Sequence, residues 1–206
     1  MMKASRIRHK KPIAGSPYTP YRETGMSGFG HYLWWVFCMD TNEKIIEEWL
    51  RLCRNQFTIT NIPFKVFGPK GGSNYSNIDI LSVDTKGNFY DYEVKFRSEY
   101  LISATDVKEY IEQLNRKERA EKIFQIIGKI KYKKIFITTK IMFGKKQEKI
   151  NDFLLIFKKE NIEVLFFEDV IADLIKAVNL KGRYDSQMLQ IIRLLKKYSF
   201  INTNLN

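Results

Sequence analysis

Apolar residues along this chain recur with two periods, about 3.6 and 2, and the changes between them mark out the elements. Ile46, Trp49, Leu50 and Cys53 repeat at helical spacing and predict an amphipathic helix over about 42–54. Phe64 to Phe67 reads as a short strand, followed by the loop Gly68-Pro69-Lys70-Gly71-Gly72-Ser73. Two strand-like runs then flank Asp84-Thr85-Lys86-Gly87-Asn88, whose turn-forming residues predict a β-hairpin. A long helix is expected over about 105–127, with Ser103 and Asp106 at capping-pair spacing. Val107, Ile111, Leu114, Phe124 and Ile127 supply its apolar face, while Lys117, Arg119 and Lys122 fall on its polar side. Residues 133–141 predict a strand, 145–160 a basic amphipathic helix, 162–167 a buried strand, and 168–178 and 184–198 two closing helices. Strands alternating with helices after an initial hairpin predict an α/β fold, with a mixed central sheet and helices on both faces.

The hairpin carries an unusual charge pattern. Asp91, Glu93, Lys95 and Arg97 alternate with Tyr92, Val94 and Phe96, so the charged groups share one face. If the loop is residues 84–88, Val83 pairs with Phe89 and Asp79 lands opposite Glu93. Like charges so placed destabilise a sheet by a few tenths to about 1 kcal/mol, and a cation between them removes that cost. Two facing carboxylates beside the Lys95 ammonium suit a hard divalent ion. The alternative is a solvated hairpin face, and a loop one residue different would send the two acids to opposite faces. Glu43, three residues before Ile46 and seven before Leu50, lies on the buried stripe of the first helix. It either turns into the site as a metal or water ligand or caps its helix together with Asp40. Glu48 is expected to face solvent.

Composition narrows the partners. At 206 residues and 44% hydrophobic, the chain predicts one domain over 28–206, preceded by a flexible basic arm, 1–27. A net charge of +12 points to a polyanion, nucleic acid first and an anionic membrane surface second. Lys10 and Lys11 of the arm are phosphate-contact candidates, against the alternative of a solvated terminus. The glycine-rich loop is no P-loop, since it lacks the terminal Gly-Lys-Ser/Thr, but it presents Lys70 and Ser73 to a phosphate or else merely connects two strands. Two cysteines and two histidines, none at metal-ligand spacing, argue against a disulfide framework, a zinc site and a histidine triad. No run reaches the roughly 18–20 apolar residues of a membrane span, so no membrane association and a cytoplasmic location are expected. The apolar cluster Tyr32 to Phe37 predicts core packing or a dimer contact.

Asp79, the Glu93-Val94-Lys95 triplet and the element order together resemble the PD-(D/E)XK nuclease superfamily, whose restriction-endonuclease-like fold has an αβββαβ core. Within it the chain is most similar to archaeal-type Holliday-junction resolvases and their small viral relatives, over about Glu43 to Phe124. Asp79 matches the first acid, Glu93 and Lys95 the E-x-K signature, Glu43 the glutamate of the first helix, Gln113 a glutamine after the signature and Ser73 a loop serine. Ile78 stands where many relatives have proline. The resemblance implies a Mg²⁺-dependent endonuclease, with Mn²⁺ able to substitute, that cleaves branched DNA as a homodimer, inside a host cell if the chain is viral. Asp79, Glu93, the Val94 carbonyl and Glu43 are then the metal-site residues for one or two ions. Lys95 and Gln113 serve the attacking water, and Arg97 contacts the neighbouring phosphate. The competing expectation is a nucleic-acid-binding protein with the same fold and no chemistry.

Overall fold

The computed structural model describes residues 41–68, 72–96, 101–129 and 131–201. In chain order these form α1 (Thr41–Arg54), β1 (Phe57–Phe67), β2 (Ser73–Val83), β3 (Phe89–Val94), α2 (Ala104–Leu114), α3 (Lys117–Ile127), β4 (Lys133–Thr138), α4 (Lys140–Phe143), α5 (Gln147–Lys159), β5 (Ile162–Phe166), α6 (Phe167–Ala177) and α7 (Gln187–Lys197). The strands make one five-stranded sheet ordered β1-β2-β3-β4-β5. β1, β2 and β3 run antiparallel in succession, and β4 and β5 then add in parallel. This is the α/β class with a mixed sheet and flanking helices that the hydrophobic pattern predicts. No helix among the described residues is long and apolar enough to cross a membrane.

Both faces of the sheet are covered, and β4 accordingly buries apolar residues on both sides, Ile135 and Ile137 on one and Phe136 on the other. On one face Ile46, Trp49 and Leu50 of α1 join Val170 and Leu174 of α6 over Ile80, Tyr92 and Ile135. On the other, Tyr110, Phe136 and Phe157 stack with ring centroids 5.1 and 4.9 Å apart, while Ile123 of α3 packs on Ile62, Phe64 and Leu81.

Four expectations need correction. β1 is 11 residues long rather than a short strand from Phe64. Its apolar positions change phase at Asn61 (φ 53°), from Phe57 and Ile59 to Ile62, Phe64 and Val66, and an edge strand tolerates both Asn61 and Pro63. The helix expected over 105–127 is two helices, because Asn115 ends α2 and Arg116 is extended (φ −60°, ψ 134°). Asn115 is drawn out of helical continuity by bonds of its amide to Lys134 (2.6 Å) and Glu160 (3.5 Å). The break resets the helical phase, turning Arg119 inward, 1% exposed, and Phe124 outward, 49% exposed. The fourth strand stops at Thr138, and α4 follows it with Met142 and Phe143 buried. Glu48, expected in solvent, is buried in a cleft with Arg51, Arg183 and Tyr184, its carboxylate 3.9 Å from Arg51.

The hairpin closes as predicted, with Val83 paired to Phe89. Asp84 organises the loop: its carboxylate accepts from Lys86 N, Asn88 N, Asn88 Nδ2 and the Tyr90 hydroxyl, each at 2.9 Å. Gly87 supplies the positive φ of 78° that a side chain would resist. These bonds, Asn88's first, hold the Asp84 carboxyl down to about 2. Asp84→Ala is therefore expected to lower Tm at neutral pH. That deficit shrinks as pH falls from about 4 towards about 2, where wild type loses the same bonds, and thermal melts of both proteins across this range check it.

Candidate functional site

The β2–β3 ladder fixes where the charged residues meet. Pairing runs from Val83↔Phe89 to Ile80↔Tyr92 and stops there, one step short of Asp79 and Glu93. At that point the Asp79 carboxylate takes over the role of a backbone carbonyl: Oδ2 accepts the Val94 N–H at 2.8 Å. The next N–H, of Lys95, donates to the Ile137 carbonyl of β4 at 2.9 Å, which anchors Lys95 at the splayed strand ends. Its ammonium lies 2.6 Å from Glu93 Oε1 and 3.5 Å from Asp79 Oδ2. Two facing acids and one lysine thus converge where sequence alternation places them.

The charged face of β3 is not solvated, however. Asp91 is 0% and Glu93 3% exposed, because α3 covers them and lowers Arg119 onto both. Arg119 holds Asp91 through Nε (2.9 Å) and Nη2 (2.6 Å), and Glu93 Oε2 through Nη1 (2.6 Å). Burying such charges is tolerable only when they are paired, and here three carboxylates share two cationic groups. The deficit falls on Asp79 and Asp91: burial first and then Glu93 push the Asp79 carboxyl up to about 6, against the pull of Lys95, the Val94 N–H and Arg119, and burial raises Asp91 as well, against the pull of Arg119. Burial pushes Glu93 up too, but Arg119 and Lys95 outweigh it and hold that group below its ordinary value. Burial pushes the Lys95 ammonium down, yet Asp79 and Glu93 more than reverse this, so Lys95 is a firm cation.

A stability prediction follows from Asp79. It keeps its proton to about pH 6 when folded but only to about 3.8 when unfolded. Between those values the folded state binds more protons, so this group's contribution to stability falls as pH rises through the window. Asp79→Asn is accordingly expected to raise the urea midpoint of the metal-free protein at pH 7.5 and to give no gain at pH 4.

Of the other candidates, Glu43 lies half-buried in the first turn of α1. Among the described residues no three His, Cys, Asp or Glu side chains gather closely enough to hold a metal, so Glu43 does not complete a triad with Asp79 and Glu93. Gln113 is half-buried near the end of α2. Ser73 opens β2, six residues or roughly 20 Å along the strand from Asp79. Val94 meets the cluster through its N–H. Lys70, Arg97, Lys10 and Lys11 lie outside the described residues, as do the basic arm and Tyr32 to Phe37. A cleft of about 650 Å³ lined by Asn115, Lys117, Phe124, Tyr132 and Lys134 sits by the start of β4, away from the paired acids. Arg119 is the residue that sequence reasoning missed. The available signal was its position one turn before Ile123, which is fully buried.

No protein-family model matches the sequence, and no curated protein matches it. Among solved structures, the EndoMS-dsDNA2 complex overlays 73% of this chain and 48% of its own, at TM-score 0.33 and 16% identity. Protein VC1899 from Vibrio cholerae overlays 63% of this chain and 29% of its own, at TM-score 0.36 and 7% identity. The chain thus spans about half the length of the first and under a third of the second. Superpositions this loose assign neither fold nor activity.

Proposed function

We propose that this chain is a divalent-cation-dependent nuclease that hydrolyses phosphodiester bonds in DNA, with Asp79, Glu93 and Lys95 at its chemical centre. The observation that carries this reading is the meeting of two buried carboxylates and one ammonium where the β2–β3 ladder stops. The residues fit a cation: the cluster has one carboxylate more than it has cationic groups, and Asp79 Oδ1 takes no hydrogen bond among the described residues. Mg²⁺ suits such a site, since it binds through one or two carboxylates and keeps waters or substrate phosphates as its remaining ligands. All-oxygen donors favour Mg²⁺ or Mn²⁺ over zinc.

When bound, the ion supplies a water of lowered pKa and a Lewis acid for the phosphate oxygens. Asp79 and Glu93 hold it, with the Val94 carbonyl as a further oxygen. Lys95 orients the attacking water and offsets charge developing on the phosphate. Glu43 and Gln113 would steady that water or Lys95 once DNA is bound. The net charge of +12 supports DNA as the partner, with Lys10, Lys11, Lys70, Ser73 and Arg97 as phosphate contacts and an affinity that falls steeply with salt. Branched DNA is the proposed substrate, and paired cuts in a junction call for a two-fold symmetric dimer.

One observation favours a second reading. Lys95 and Arg119 between them already engage both oxygens of Glu93, as a purely structural network in a non-enzymatic DNA-binding protein would. Labelled four-way junction, linear duplex, single strand and supercoiled plasmid, each with Mg²⁺, Mn²⁺ or EDTA, separate the two. Paired metal-dependent cuts confined to the junction are expected. Cuts in other DNAs would retire the junction substrate, and salt-sensitive binding without scission would support the structural network.

A further inference from the structure

We infer that Arg119 is a positioning residue that limits the Asp79–Glu93 pair to a single divalent cation, an inference that rests on the nuclease reading above. A second ion in such a site lies about 3.5–4 Å from the first and needs a bridging carboxylate with both oxygens open, plus further acidic ligands. Among the described residues neither requirement is met. Glu93 Oε2 is held by Arg119 Nη1 at 2.6 Å, so only Oε1 faces Asp79 and Lys95. Asp91, the third acid, spends both its oxygens on the Arg119 fork at 2.6 and 2.9 Å and is 0% exposed. Among the described residues no three His, Cys, Asp or Glu side chains gather closely enough to supply the further ligands. A second cation at Glu93 Oε2 would meet the guanidinium itself, a like charge at hydrogen-bond distance with no water between to screen it.

The geometry also assigns Arg119 a mechanical part. Its two bonds to Asp91 fix the plane of the guanidinium, and the third bond fixes the Glu93 carboxylate, so Oε1 presents one orientation to the cation. Arg119 touches neither the reacting atoms nor the ion and acts only through Glu93.

The test counts Mn²⁺ bound to the full chain by the loss of free-ion EPR signal, without DNA. One ion per chain is expected. Two would overturn the inference while leaving the nuclease reading standing. No binding at millimolar Mn²⁺ would overturn both. The double variant Asp91→Asn with Arg119→Gln removes the pair whole, with asparagine isosteric to aspartate and glutamine a shorter polar replacement for arginine. Because the lost cation lay closer to Glu93 than the lost anion, Mn²⁺ should bind at least tenfold more tightly, with an unchanged far-UV spectrum. Arg119→Lys keeps the charge but not the fork, so it should still bind one ion per chain and should not show the tightening of the double variant. Unchanged affinity in the double variant, or equal tightening in the lysine variant, would contradict the assigned role. The wild-type count decides the stoichiometry even if the double variant fails to fold.

Discussion

Replacing Arg119 by methionine is expected to cost about 3–5 kcal/mol of folding stability, a large share of the roughly 5–15 kcal/mol that holds an ordinary domain folded. The residue is 1% exposed and is the only cation bonded to Asp91 among the described residues, and Asp91 is itself wholly buried. Methionine fills much of the same volume, so the loss is chiefly electrostatic: burial already raises the Asp91 carboxyl, without the guanidinium it must take up a proton or stay buried as an unpaired charge, and Glu93 keeps only Lys95. Neutralising Asp91 as well should recover much of the deficit, since a buried pair removed whole costs far less than one broken in half. Urea melts of Arg119→Met, Asp91→Asn and the two combined check this. A combined cost equal to the sum of the single costs would show that the two side chains do not act as a unit.

Glu93→Gln and Lys95→Ala are expected to reduce cleavage by at least about 10³-fold, equivalent to about 4 kcal/mol of transition-state stabilisation. Glu93→Gln keeps the shape of the side chain but withdraws the charge that a cation needs. Lys95→Ala removes the ammonium 2.6 Å from Glu93 and 3.5 Å from Asp79 and opens a gap at the strand ends. Both variants should retain salt-sensitive DNA binding if, as proposed, affinity comes from the many other basic residues. Gel-shift titration beside single-turnover cleavage separates the two properties. Loss of binding in step with loss of cleavage would move these residues from chemistry to DNA contact.

Local rules made much of this fold legible. The turn residues 84–88 set the loop length, and loop length set the register that brings Asp79 to Glu93. Ile46, Trp49 and Leu50 were visible as a buried stripe because their spacing is a property of one helix. The Ser103–Asp106 capping box, formed reciprocally in the structure, is likewise local. What could not be read depends on distant partners. The break before α3 is secured by Asn115 bonding to Lys134 and Glu160, which lie 19 and 45 residues further along the chain. Without that break the helical phase carries Arg119 to the surface, and Asp91 then reads as one more solvated charge. Glu48 was misplaced for the same reason, since the residues that close over it, Arg183 and Tyr184, come from the far end of the chain.

The central claim is that the hairpin cluster is a cation-dependent hydrolytic centre. Single-turnover scission of a labelled four-way junction by wild type and Glu93→Gln, in Mg²⁺ and again after EDTA, tests it most directly. The account predicts scission by wild type that stops with EDTA and returns with added Mg²⁺, and none above background from the folded variant. Scission undiminished by EDTA, or undiminished in Glu93→Gln, would contradict it.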